Sequence, residues 1–225
     1  MSELSVLINQ IAKGEVDEKN QASKEIDKLV NLDSFYATLV SELENPDSRG
    51  RFWCMDLLIK KASHHFADSK NIIPVLIKRL TDDDHPVVDR AIWALSITGP
   101  NSINFIINAI DNATDTKAKA IYIRALGKNT NVYIQAERVI KLFSNLLSEH
   151  DAEIRFNAMI AFMDLSPLRP WFDKRITGID FEPVYREVSK AANEFKSGVG
   201  NYEEFYVEWA TRYLDLIDRR IVDKD

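Results

Sequence analysis

Four aspartates recur along this chain, each eleven residues before a large apolar residue. The pairs are Asp47 with Leu58, Asp84 with Leu95, Asp115 with Leu126 and Asp151 with Phe162, and successive aspartates are 37, 31 and 36 residues apart. A self-similar unit of this length is typical of a stacked array of helix pairs, in which each pair buries its apolar face against its neighbours. The repeat therefore restricts the fold more than any other feature of the sequence.

Each repeat is predicted to contain a leading helix, an acidic turn and a trailing helix. The aspartate begins the trailing helix, where a carboxylate accepts hydrogen bonds from unpaired backbone N–H groups at the positive end of the helix dipole. Apolar residues spaced at about 3.6 residues then define one buried face. The predicted leading helices are residues 35–43, 72–80, 102–110 and 137–147, and the trailing helices are 49–63, 86–97, 116–126 and 152–165.

The chain is predicted to form one continuous structural unit with three segments. Residues 1–33 form a degenerate N-terminal helical repeat, residues 34–166 form the four repeats, and residues 167–225 form a C-terminal helical cap. Prolines after residue 166 end the last repeat. A final helix from Tyr202 to about Ile221 carries an aromatic stripe. We expect the stripe to pack over the end of the array, and the alternative is an exposed partner-binding or dimerisation helix.

Composition supports an all-α protein of the α-α superhelix class. The 225 residues include only seven glycines and seven prolines, and 45% of them are hydrophobic, so helices joined by short turns are favoured over a β-sandwich or barrel. With one cysteine, no secretory leader and no apolar stretch near the roughly 18 residues of a membrane span, we expect a cytoplasmic protein without membrane association.

No pattern of residues indicates catalysis, a metal or a cofactor. The four histidines are dispersed, Cys54 occupies a small-residue position of the repeat, and no glycine-rich phosphate loop is present. We therefore expect no catalytic residue, no metal, no cofactor and no enzymatic activity. The net charge of −6, from 35 acidic and 29 basic residues, disfavours nucleic acid as a partner.

The trailing helices resemble those of the HEAT repeat, including the variety found in many bacterial proteins. The likeness is clearest in residues 151–162, DAEIRFNAMIAF, and next in residues 84–95. In this family an arginine in the trailing helix usually reaches the aspartate of a neighbouring repeat, and Arg51 and Arg155 occupy that position, whereas Val88 and Lys119 replace it in the other two repeats. The resemblance implies a curved solenoid of about five helical hairpins with the trailing helices on its concave side.

Positions opposite the buried face are predicted to form a binding groove for another protein. They are Phe52, Asp56, Asp89, Trp93, Arg124, Phe156 and Ile160. The apolar members would form a strip bordered by charges, and aromatic and arginine side chains dominate affinity in protein interfaces. The alternative is that neighbouring repeats or the C-terminal segment cover these side chains.

These observations predict a non-enzymatic scaffold or adaptor that binds a partner protein, with the oligomeric state left open. One alternative is a bacterial immunity protein that neutralises a basic toxin, since the chain is small and acidic. A second is a nucleic-acid-binding protein similar to the alkylpurine DNA glycosylases built from HEAT-like helix pairs. Those enzymes use tryptophans and a catalytic aspartate, and this chain has such residues at Trp53, Trp93, Asp56 and Asp89. The paired-tryptophan motif of that family is missing from this sequence.

Overall fold

The computed structural model describes residues 2–32, 34–64, 71–197 and 202–222. This part of the chain contains twelve α-helices, short 3₁₀ segments and no strand, which confirms the predicted all-α fold. No helix in it combines the length and the apolar character needed to cross a membrane.

The chain divides into two compact units, Met1–Phe105 and Ile106–Asp225, with the boundary inside one helix. The N-terminal unit contains α1 (Glu3–Lys13), α2 (Val16–Leu29), α3 (Ser34–Glu42), α4 (Ser48–Lys61), α5 (Ile72–Arg79) and α6 (His85–Ile97), and α7 (Asn101–Asn112) contains the boundary. Here α1 pairs with α2, α3 with α4 and α5 with α6, while α4 also packs on α1 and α6. The pairs of this unit therefore stack in sequence order, as in an α-α superhelix.

The C-terminal unit repeats this arrangement. It contains α8 (Thr116–Gly127), the 3₁₀ helix Val132–Gln135, α9 (Ala136–Leu146), α10 (Ala152–Asp164), α11 (Glu182–Lys196) and α12 (Glu204–Val222). Helix α10 packs on α8, α9 and α11, and α11 pairs with α12. All of the helices expected from the repeat are thus present within a few residues of their predicted ends. The prediction that the three sequence segments form one continuous body stays a prediction.

Three of the four repeat aspartates cap their trailing helices as predicted. Asp47 accepts a hydrogen bond from the Arg49 N–H (3.0 Å), and Asp115 accepts one from the Ala118 N–H (2.8 Å). Asp151 accepts two, from the Glu153 and Ile154 N–H groups. The side chain of Asp84 makes no capping hydrogen bond to α6, whose first turn contains a proline that needs no N–H acceptor.

The predicted buried face is also confirmed. The four residues that stand eleven positions after the aspartates are fully buried, namely Leu58, Leu95, Leu126 and Phe162. Cys54 is buried beside them, and burial followed by the nearby Glu42 charge raises the pKa of its thiol. A neutral thiol held inside the packing is a structural group, because the thiolate is the reactive form.

A buried arginine in the N-terminal unit joins the turns of two successive repeats. The Arg51 guanidinium donates to both carboxylate oxygens of Asp82 (2.8 and 2.7 Å) and to Asp83 (2.7 Å). It also donates to the Asn45 and Pro46 carbonyls in the turn before its own helix. The contact that the HEAT resemblance implied for Arg51 is therefore present.

Lysine at the equivalent position of a later repeat makes a similar link. In the C-terminal unit, the Lys119 Nζ lies 3.4 Å from Glu149 Oε1 in the following turn. Arg155 donates to the Glu149 and His150 carbonyls, which repeats the backbone contacts of Arg51. Val88, by contrast, is a buried apolar side chain that offers no such contact. Lysine can thus replace arginine in this contact between successive turns, because only one charged atom needs to reach the next turn.

Helices α8 and α10 approach each other closely at a glycine. A Cβ atom added to Gly127 would lie 2.7 Å from the Cβ and 2.8 Å from the Cα of Ala161. These distances are well inside van der Waals contact, and the second involves backbone that has no free rotation to relieve it. The absence of a side chain at Gly127 therefore sets the spacing of this helix pair.

Gly127→Ala is expected to lower the free energy of unfolding by about 2 kcal/mol, as overpacking of a tight contact does. Gly50→Ala is the matched control in the other unit, because its added Cβ would meet only side-chain atoms of Asn45, at 3.0–3.2 Å. We expect the control to be close to neutral, since alanine is the better helix former. Urea unfolding followed by circular dichroism measures both, and equal midpoints for Gly127→Ala and the wild type would contradict the packing argument.

Candidate functional sites

The seven predicted binding residues divide between the two units and differ in exposure. Asp89, Trp93 and Arg124 are exposed, and Phe52 and Ile160 are half-buried. Asp56 and Phe156 are buried. The helical phase alone therefore identified the outward residues only in part, and each unit has its own candidate site.

The candidate site of the N-terminal unit is centred on an arginine that the sequence reasoning missed. We call Phe52, Asp56, Lys60, Arg90 and Trp93 the Arg90 cluster. The Arg90 guanidinium carbon lies 5.0 Å from the ring centre of Phe52 and 5.3 Å from that of Trp93. Both distances suit cation–π attraction, so α4 and α6 hold the guanidinium between two aromatic rings. The sequence did contain one indication of this contact, because Arg90 and Trp93 stand three residues apart on α6 and such side chains are neighbours on a helix.

The prediction that Asp56 lies exposed at the rim of a groove is wrong. Its carboxylate is buried, with Oδ2 2.8 Å from the Lys60 Nζ and Oδ1 3.1 Å from the Arg90 Nε. The reason is that α4 packs against α6, which turns this edge of α4 into an interhelical contact. Asp56 therefore balances two cations and anchors Arg90 from behind.

Trp93 gives the Arg90 cluster its accessible surface. Its side chain remains 43% exposed, and the neighbouring Asp89 is exposed as well. An accessible tryptophan next to an immobilised guanidinium loses little conformational entropy when a second molecule packs on it, and tryptophan and arginine are the commonest anchors of protein interfaces. The cluster can thus supply both apolar contact and hydrogen-bond donors.

The C-terminal unit contains a cleft of about 600 Å³ between α8, α10, the segment after α10 and α12. We call it the C-terminal cleft. It is lined by Arg124, Lys128, Glu153, Phe156, Asn157, Ile160, Asp164, Arg169, Trp171, Glu203, Phe205, Tyr206, Trp209 and Tyr213. The volume lies within the range of sites that bind small organic molecules.

Phe156 is buried by the C-terminal helices, so the prediction that it is exposed in a binding groove is wrong. Its side chain is only 2% exposed. Its ring stacks on Tyr206 at 4.0 Å and meets Phe195 and Phe205 edge-on at 5.7 and 5.4 Å. The alternative that the C-terminal segment covers the strip holds at this position, because α12 packs its aromatic stripe onto the outward face of α10.

The aromatic stripe of α12 also forms a wall of the cleft. Phe205 remains 49% exposed, Trp209 is half-buried and Tyr213 is buried. Trp171, another residue of the lining, is 59% exposed and packs under the Arg169 guanidinium, which lies 4.2 Å from its ring centre. Sequence reasoning found the stripe but not the cleft, because Arg169 and Trp171 stand in a loop that has no periodicity.

Two buried donors of the C-terminal cleft have no hydrogen-bond partner in the described part of the chain. They are the hydroxyl of Tyr213, whose side chain is 1% exposed, and the Nε–H of Arg169. The pKa of the Tyr213 hydroxyl is raised, first by burial and then by the negative charge of Asp164, although Arg169 acts in the opposite direction. The hydroxyl is therefore protonated at neutral pH and available as a donor.

The charges that line the C-terminal cleft are balanced. The lining contains three basic and three acidic side chains, namely Arg124, Lys128, Arg169, Glu153, Asp164 and Glu203. The Lys128 Nζ lies 2.6 Å from Asp164 Oδ2, so these two charges neutralise each other. Among residues 2–32, 34–64, 71–197 and 202–222, no three histidine, cysteine or acidic side chains are arranged to hold a metal ion.

No protein-family model matches this chain, and no curated protein matches it. Among solved structures, the crystal structure of an engineered protein is 17% identical and aligns with a TM-score of 0.40 over 97% of this chain and 98% of its own. A designed armadillo repeat protein is 14% identical, with a TM-score of 0.43 over 95% and 99% of the two chains. Likeness at this level carries no argument about function.

Proposed function

We propose that this protein is a non-enzymatic binding module that holds a partner protein through the Arg90 cluster. The observation that carries the proposal is the position of Trp93, which is 43% exposed while it packs against a guanidinium that Asp56 anchors from the interior. An accessible tryptophan packed on an ordered guanidinium is the kind of anchor that protein interfaces use.

The proposed partner presents an apolar side chain to Trp93 and a carboxylate or carbonyl oxygen to Arg90. The Arg90 Nε lies 3.1 Å from Asp56 Oδ1 but donates no hydrogen bond within the described part of the chain, where Asp56 is the ion-pair partner of Arg90. Planar donors of this kind match oxygen acceptors well. The balanced charge of Lys60 and Arg90 against Asp56 and Asp89 does not select a polyanion such as DNA.

We infer that the repeats are of the HEAT type and that the protein acts in the cytoplasm. The contact of Arg51 with Asp82 in the next turn supports the repeat type. The single cysteine, buried in the packing, is compatible with a reducing compartment.

Trp93→Ala is expected to weaken partner binding by about 2 kcal/mol, or some thirtyfold, as a hot-spot residue does. Helicity should not change, because the side chain is exposed and α6 gains a better helix former. Trp171→Ala is the matched control, since it removes another exposed tryptophan in the other unit. Affinity capture from the source cells with quantitative mass spectrometry compares the variants, and titration of the captured, recombinant partner measures the loss.

Two results would refute the assignment. One is equal affinity of the wild type and Trp93→Ala for the purified partner. The other is an equal loss in both tryptophan variants, which would indicate nonspecific adhesion of exposed aromatic side chains. Arg90→Lys provides a second measurement, because lysine retains the charge but cannot present planar donors. It should weaken the same complex.

A further inference from the structure

The C-terminal cleft has features that the protein-binding proposal does not use. Burying a hydroxyl or a guanidinium N–H without an acceptor is unfavourable, and native proteins rarely do so twice in one place. Here the Tyr213 hydroxyl and the Arg169 Nε–H are both buried and both without a partner among the described residues. Both side chains line the same cleft. The cleft is therefore prepared for a ligand atom that accepts hydrogen bonds.

The charge of the C-terminal cleft restricts the kind of acceptor. In the described part of the chain, Arg169 forms no ion pair, whereas Lys128 is already neutralised by Asp164. The Arg169 guanidinium next to a hydroxyl donor matches a single negative charge that is spread over two oxygens. The lining contains as many acidic as basic side chains, which does not favour a phosphate dianion or a nucleic acid.

The walls of the cleft restrict the rest of the ligand. Trp171 and Phe205 are both accessible in the lining, and Trp209 lies between Phe205 and Tyr213 on α12, with ring centres 6.2 and 5.6 Å away. Flat aromatic walls favour a flat apolar group, which can pack against them face to face or edge to face. A volume of about 600 Å³ accommodates such a group together with a short acidic arm.

We propose that the C-terminal cleft binds a small aromatic carboxylic acid, with its ring against Trp171 and Trp209 and its carboxylate hydrogen-bonded by Tyr213 and Arg169. The ligand is held without chemical change. The site lies wholly in the C-terminal unit and does not depend on the Arg90 cluster. Failure of either proposal therefore leaves the other one intact.

The first test compares three probes of one shape and different charge. They are 3-phenylpropionate, the uncharged 3-phenylpropanamide and the cationic 3-phenylpropylamine. Probes this small bind with dissociation constants of about 1 mM, which is suited to titration by ¹H–¹⁵N NMR. The acid should shift the indole N–H signals of Trp171 and Trp209 and the Arg169 Nε–H signal, while those of Trp53 and Trp93 stay in place. It should bind about tenfold more tightly than the amide or the amine.

The second test removes one donor at a time. Tyr213→Phe should weaken binding of 3-phenylpropionate about tenfold, as loss of a hydrogen bond to a charged group does. Its melting temperature should stay equal or rise, because the buried hydroxyl has no hydrogen-bond partner to lose among the described residues. Tyr202→Phe is the matched control, since its hydroxyl accepts a hydrogen bond from Arg155 and does not line the cleft. Arg169→Lys should weaken binding of 3-phenylpropionate and remove the NMR signal assigned to the Arg169 Nε–H.

Several outcomes would overturn the proposal. They are the absence of binding by 3-phenylpropionate, equal affinity for the acid and the amide, and unchanged affinity in Tyr213→Phe. A lower melting temperature in Tyr213→Phe would also overturn it, because the hydroxyl would then have a structural partner.

Discussion

Phe156→Ala is expected to lower the free energy of unfolding of the C-terminal unit by about 3–5 kcal/mol, the usual cost of removing a buried phenylalanine. The ring contacts Phe195 of α11 and Phe205 and Tyr206 of α12. Its loss leaves a cavity among aromatic rings that cannot collapse independently of one another. The helical phase had suggested a surface residue whose loss affects only binding. That interpretation predicts almost no change in the free energy of unfolding, whereas burial predicts a large loss.

Phe205→Ala is the control for this prediction. It removes a ring of the same size that touches Phe156 at 5.4 Å but is 49% exposed, so we expect a loss of about 1 kcal/mol. Urea unfolding gives the two free energies, and hydrogen exchange shows whether the loss is confined to α10, α11 and α12. A loss below 1 kcal/mol for Phe156→Ala would mean that the C-terminal helices do not cover this position in solution.

Asp82→Asn is expected to lower the free energy of unfolding of the N-terminal unit by about 3 kcal/mol, because it leaves a buried arginine without its main counter-ion. The side chain of Asp82 is 1% exposed and holds the guanidinium of Arg51 through two hydrogen bonds. Asp83→Asn is the matched control. It removes a carboxylate at the same distance of 2.7 Å from Arg51, but that side chain is 88% exposed. Solvent screening limits its expected effect to less than about 1 kcal/mol.

The effect of Asp82 should depend on pH. Burial acts to raise the pKa of its carboxyl, but the hydrogen bonds from Arg51 and from the Asp84 N–H prevail and hold it below the ordinary value of 3.8. A lowered pKa in the folded state contributes stability above pH 3.8 that is lost as the pH falls through the folded-state pKa. The difference in the free energy of unfolding between the wild type and Asp82→Asn should therefore be largest at pH 7 and decrease below pH 3.8. A difference that does not vary with pH would show that Asp82 does not act as an ionised partner.

Much of the fold was predictable because its determinants are local. The capping hydrogen bonds of Asp47, Asp115 and Asp151 join groups two or three residues apart. The buried face repeats at the helical period, so that Leu58 and Phe162 are buried for the same reason in different units.

The candidate sites were predictable only in part. Trp93 and Arg124 are exposed, as their helical phase predicted. Asp56 and Phe156 have the same helical phase but are covered, one by the pairing of α4 with α6 and the other by α12. Helical phase cannot separate these cases, since it describes one helix at a time.

The sequence by itself determined that this chain folds into capped helix pairs, where each pair begins and ends, and which face of each trailing helix is buried. These properties follow from interactions within a few residues and from the helical period. Only the tertiary structure decided that α12 covers Phe156 and that Asp56 anchors Arg90. It alone also showed that the Tyr213 hydroxyl has no hydrogen-bond partner among the described residues, in a cleft shared with Arg169. These features depend on contacts between residues that are distant in sequence. Such contacts leave no periodic pattern in the sequence itself.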